Sequence, residues 1–72
     1  MKWHEIEHRW PELKPRVRRH WFHLTQDDVD AIAGSREELV DRVQQRYGFA
    51  RDEAEKEVDA WAFFLALPEM AV

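Results

Sequence analysis

The sequence predicts an all-α fold of four to five short helices, and three observations predict it. Apolar residues recur at steps of three and four, the spacing that puts side chains on one helical face. Hydroxyl residues followed three places later by an acid mark helix starts, and the chain's two glycines stand where two of the apolar stripes stop. No β-branched run alternates with period two, so nothing in the pattern asks for a strand.

Taken in order, Trp3, Ile6 and Trp10 line a short helix or an irregular arm reaching about Trp10. Pro11 and Pro15 remove backbone donors and restrict the residues before them, but a proline suits a first helical turn. A helix is therefore expected to begin near Pro11 or Pro15 and to run to about Phe22, with Leu13, Val17, Trp21 and Leu24 as its buried stripe. Thr25, followed by Asp28, starts the next helix, whose stripe is Val29, Ile32 and Ala33 and whose end is Gly34. Ser35 with Glu38 makes the stronger capping box and opens a helix carrying Leu39, Val40, Val43 and Tyr47, which Gly48 ends. Acids in these first turns suit the positive end of the helix dipole, and Arg42 and Arg46 suit the negative end. Phe49 is placed to fold back on the turn before Gly48. Arg51-Asp52-Glu53 opens the last helix, with Ala54, Val58, Trp61 and Leu65 on its inner face, and Pro68 closes it before a loose tail.

Connections this short force neighbouring helices into tight hairpins. The 72 residues form a single domain with no repeat and no linker. A domain of this size buries roughly 60% of the surface its unfolded chain exposes, so its small core needs large side chains. Four Trp, four Phe and one Tyr supply them. Cysteine is absent, which excludes a disulfide framework and a thiolate zinc site and fits a reducing cytoplasm. The longest apolar run, Ala60 to Leu67, is far short of the about 20 residues a membrane span needs, and the first residues do not read as a secretory signal. A soluble, unexported protein is expected.

The words that mark these helices also carry a resemblance. Leu24-Thr25-Gln26-Asp27-Asp28-Val29-Asp30, Ile32-Ala33-Gly34, Arg36-Glu37-Glu38-Leu39-Val40, Arg46-Tyr47-Gly48 and Ala54-Glu55-Lys56-Glu57-Val58-Asp59-Ala60-Trp61 resemble the CsbD-like bacterial stress-response family. Trp3, Ile6, Glu7, Trp10, Leu13, Lys14, Val17 and Trp21 match the first part of that family's pattern. The resemblance covers about residues 3–61 and leaves 62–72 as an apolar C-terminal extension. It departs from the family's usual glycines at His8, Pro15 and Phe22. It implies two helical hairpins packed roughly orthogonally, in the manner of sterile-alpha-motif domains, and a cytoplasmic protein that accumulates under stress. It carries over no active site, because the family has no established biochemical activity, and so it leaves the mechanism open.

Charge is uneven along the chain. Residues 1–24 carry six basic and three acidic groups, while residues 25–72 carry five basic and twelve acidic ones, within a net charge of −4. The basic stretch Lys14, Arg16, Arg18, Arg19, His20 and His23, interleaved with Trp10, Trp21 and Phe22, offers a partner surface for protein or nucleic acid. Trp10 and Trp21 fall on the core stripe, however, and the acidic body opposes nucleic acid at long range. The turn Tyr47-Gly48-Phe49 has one glycine where a phosphate-binding hairpin would use more, and Asp52 and Glu53 follow it.

His4-Glu5-Ile6-Glu7-His8 has the spacing of a zinc-hydrolase motif, in which two His on one helix face hold the metal and the Glu activates water. That chemistry also needs a third ligand and a cleft, and the segment lies close to the first residue. Solvated surface is the reading adopted, with a metallo-hydrolase as the remote alternative. The remaining carboxylates form no acid–base pair that spacing can identify, and solvated helix faces account for them.

The C-terminal end carries Phe63, Phe64, Leu67 and Met70 in addition to Trp61 and Leu65. Phe63, Phe64 and Leu67 lie at angles that cannot all face one core, so they mark a surface for weak self-association or a protein partner. The competing reading folds this turn over Trp3 and Ile6. The sequence thus describes a non-enzymatic protein without cofactor or membrane segment, whose partner surface is sought in Lys14, Arg16, Arg18, Arg19, Phe63, Phe64 and Leu67.

Overall fold

A computed structural model describes residues 2–65, and these form five helices: α1 (Trp3–His8), α2 (Trp10–His20), α3 (Gln26–Ile32), α4 (Arg36–Tyr47) and α5 (Arg51–Leu65). The all-α expectation holds, and each helix packs against the next in chain order.

The start of the chain differs from the sequence reading in a way the prolines explain. Helix α2 begins at Trp10, ahead of both prolines, and Pro15 lies inside it. Only Arg9 separates α1 from α2. A proline ring collides with the carbonyl four residues back and offers no N–H to it. For Pro11 that carbonyl is Glu7's, at the end of α1, so the break falls there. For Pro15 it belongs to Pro11 in the first turn, where one lost bond leaves the rest of the helix intact. The helix ends at His20, two residues before Phe22, which is 72% exposed.

The two N-caps exchange rank. Thr25 forms the complete capping box: its Oγ1 accepts from the Asp28 N–H at 3.0 Å and its own N–H donates to Asp28 Oδ2 at 3.0 Å. Ser35 accepts from the Glu38 N–H at 3.4 Å, while its own N–H donates to the Ile32 carbonyl at 2.9 Å and so is taken by the preceding turn. That turn is tight. Ala33, expected in the core stripe, is instead the exposed C-cap of α3 with φ +50°, and Gly34 follows at φ +84°. Gly48 caps α4 at φ +71° as expected.

The predicted stripes otherwise meet in one core. Leu13, Val17, Trp21, Leu24, Val29, Ile32, Leu39, Val40, Val43, Ala54, Val58 and Trp61 are buried, with Ile6 and Trp10 added from the first segment. Trp10 keeps its indole satisfied by donating Nε1–H to the Val29 carbonyl at 2.9 Å. Three tryptophans close one end. The Trp61 ring lies 5.4 Å from Trp21 and 6.3 Å from Trp3, so the last helix is seated on both the first and the end of the second.

Candidate functional site

The basic cluster of the second helix does not form one surface. Lys14 and Arg18 are four residues apart and turn toward α3, where Lys14 Nζ meets Asp30 Oδ1 at 2.8 Å and Arg18 meets Gln26 Oε1 at 3.4 Å. Lys14 holds the Asp30 carboxyl below the usual carboxylate range, with a hydrogen bond from Gln26 helping. Arg16, Arg19 and His20 leave the helix on the other side. There they line an open groove of about 440 Å³ with Trp61 of α5. The sequence placed all four cations in one candidate surface, and helical phase divides them two and two. His23 sits apart again, its ring 4.7 Å from that of Tyr47 and its N–H donating to the Tyr47 hydroxyl at 3.2 Å.

The groove is built on the tryptophan closure. His20 stands edge-on to Trp21 with centroids 4.5 Å apart, and Trp21 packs on Trp61. Trp61 is 6% exposed, so it forms a floor, and the exposed Arg16, Arg19 and His20 form a cationic wall. Beyond it α5 continues to Phe63 and Phe64, which are 64% and 65% exposed with ring centroids 6.0 Å apart. Leu67, the remaining residue of the candidate surface, lies outside the described residues, as does Met70.

A second polar centre went unread in the sequence. Asp28 is 2% exposed, not part of a solvated face. Arg46 grips it with two bonds, Nε to Oδ2 at 2.7 Å and Nη2 to Oδ1 at 3.1 Å, and Arg42 Nη1 adds a third at 2.9 Å. With the Thr25 N–H, the carboxylate accepts four bonds. These hold its pKa far below the ordinary range, the Arg46 bond being the largest influence and burial opposing it. The same three side chains tie α3 to α4. Arg51 joins α4 to α5 through Glu37 at 2.7 Å, Asp41 at 3.0 Å and Glu55 at 3.1 Å, and Arg36 joins them again through both oxygens of Asp59. The signal for the Asp28 centre was present as an acid at the third position of α3 and two arginines four apart on α4. Spacing alone does not show that the two helices face each other.

His4 and His8 are exposed on α1, and the described residues contain no group of three His, Asp or Glu side chains arranged to hold a metal ion. Among the described residues no helix is long and apolar enough to cross a membrane.

A UPF0337 protein of Rhodopseudomonas palustris is 43% identical over 61 residues, which are 85% of this chain and 92% of that one. The chain belongs to the UPF0337 family. The family's YjbJ protein of Escherichia coli K12 is 46% identical over 52 residues, 72% of this chain and 75% of that one. A member from Nitrosomonas europaea is 45% identical over 62 residues, which are 86% of this chain and 66% of that longer protein. No family model matches the chain, and no solved structure matches it. The names of these UPF0337 relatives state no activity.

Proposed function

We propose that this UPF0337 protein is a cytoplasmic stress-response protein of the CsbD-like kind and that it acts by binding, without catalysis. The observation that carries the binding half is the groove in which Arg16, Arg19 and His20 stand over Trp61, with two exposed phenyl rings further along the same helix. Cations beside an aromatic floor suit a partner that presents carboxylates around an apolar anchor. The stress half rests on the family words from Leu24 to Trp61. A continuous phosphate track is disfavoured, because Lys14 and Arg18 point away from the groove and are engaged by α3. The exposed His4 and His8 are read as surface residues.

The test is genetic and direct. Chain abundance in the native host should rise under osmotic, oxidative or stationary-phase stress, and a deletion strain should survive one of these less well. Wild type should rescue that strain, whereas a variant with Arg16→Glu and Arg19→Glu should not, despite equal abundance. Flat abundance across all stresses sinks the stress assignment, and full rescue by the double variant sinks the groove.

A further inference from the structure

The chain itself carries the chemistry its groove would accept. On α5, Glu53, Glu57 and Phe64 are separated by four and seven residues and share one helical strip, and all three are exposed. Phe63 projects from the side opposite the buried Ala54 and Val58. Two bare rings and two carboxylates thus lie along the exposed part of an acidic helix. One turn before Phe64, Trp61 lines a groove walled by Arg16, Arg19 and His20. Aromatic rings against guanidinium planes and an indole, with carboxylates meeting the same cations, is a matched set of contacts.

We propose that the groove and the Phe63–Phe64 end of α5 form a self-complementary surface through which two copies of this chain pair. The occupant of each groove is the aromatic end of the other copy's α5. Charge complementarity favours a second copy, since Arg19 and His20 at the groove of one chain would meet the exposed Glu53 and Glu57 of another. Adjacency fixes the symmetry. Because Phe64 lies one turn along α5 from Trp61, the groove's floor, ring and groove are near neighbours, and a two-fold axis that seats one copy's Phe64 also seats its partner's. The product is a closed dimer, not a filament. Four phenyl rings bury well under the roughly 1,200 Å² typical of the smaller stable interfaces. The pairing is therefore weak, with a dissociation constant on the order of 10–100 µM. This inference rests on the groove being a binding site, as proposed above, and adds the identity of its partner.

Sedimentation equilibrium of the purified full chain, from about 5 µM to about 1 mM, brackets that range of affinity. The average mass should climb from monomer toward dimer and stop there, and added salt should weaken the association. Phe63→Ser with Phe64→Ser should keep the chain monomeric at every concentration while leaving its helical circular dichroism unchanged, because both rings are exposed. Arg19→Glu should weaken pairing about tenfold or more, and adding Glu57→Arg in the same chain should recover part of it. A wild-type chain that stays monomeric throughout overturns the proposal, as does a dimer indifferent to the Phe63 and Phe64 changes or an open-ended rise in mass. These outcomes are separable from the genetic test. A monomeric chain whose groove is still needed for survival removes self-pairing and leaves the binding function standing. A dimer in a chain whose groove is dispensable for survival does the reverse.

Discussion

Gly34 lies against the backbone of Glu7: a Cβ at position 34 would stand 2.5 Å from the Glu7 Cα. The turn between α3 and α4 therefore serves as a seat for α1, and the seat admits hydrogen only. Gly34→Ala should fail for two reasons, a φ of +84° that disfavours any L side chain and an overlap with backbone that cannot rotate away. Gly48 provides the control. Its φ is +71°, but nothing lies within 4 Å of the Cβ it lacks. Gly48→Ala should cost about 1–2 kcal/mol, the left-handed penalty alone. Gly34→Ala should cost about 2–4 kcal/mol, or a fall in Tm of roughly 10–25 °C for a domain this small. Equal melting temperatures for the two variants would contradict the close approach.

Asp28 should be the most sensitive charged residue in the fold. Removing a buried partner from an ion pair costs about 3–5 kcal/mol when the remaining charge is stranded. Here Arg42 and Arg46 remain 30% and 43% exposed at their side chains, so water relieves part of that cost. Asp28→Ala also removes half of the Thr25 capping box, worth about 1 kcal/mol. A total near 3 kcal/mol is expected in urea unfolding. Arg46→Lys should cost about 1 kcal/mol, since an ammonium cannot reproduce the two-bond fork.

The same centre sets the response to acid. Arg46 first, then Thr25 and Arg42, hold the Asp28 carboxyl far below its ordinary value against the opposing effect of burial. A carboxyl depressed in the folded state contributes stability that is fully present above its unfolded pKa, about 3.9 for Asp. That contribution is lost as pH falls below about 4 toward the folded value. Asp30, held down by Lys14 and Gln26, and Asp59, held down by Arg36, act in the same direction but are exposed. The urea midpoint should be flat from about pH 7 to 5 and fall steeply below about 4. Asp28→Asn should flatten that fall, and an unchanged slope would refute the assignment.

Much of this was legible in the chain. The apolar stripes at Leu13–Leu24, Leu39–Val43 and Ala54–Trp61 and the stop at Gly48 follow from periodicity and cap chemistry, which are local. What escaped depends mostly on contact between segments. Ser35 looked the better capping box, but the preceding turn already held its N–H. Gly34 looked like a simple stop, but α1 passes over it. Asp28 looked like a first-turn acid, and only the packing of α4 on α3 brings two arginines to it. The division of Lys14 and Arg18 from Arg16 and Arg19 could have been read from helical phase alone, since the pairs leave the helix on different sides.

Trp10 offers a last test, of whether its hydrogen bond or its bulk matters. The indole is 3% exposed and donates to the Val29 carbonyl at 2.9 Å. That carbonyl also accepts a long bond from the Ala33 N–H, at 3.5 Å. Trp10→Phe keeps an aromatic ring on the stripe but removes the donor, leaving a buried acceptor poorly satisfied at a cost of about 1–2 kcal/mol. The smaller ring also leaves a void, adding about 1 kcal/mol. Because the bond anchors α2 to α3 beside the αL turn at Ala33, hydrogen exchange should report the loss locally. Amides of Ala33 and Ser35 should lose protection more than those of Val58 and Trp61. Uniform loss across all four would mean that bulk alone is at stake and that the bond to Val29 contributes little.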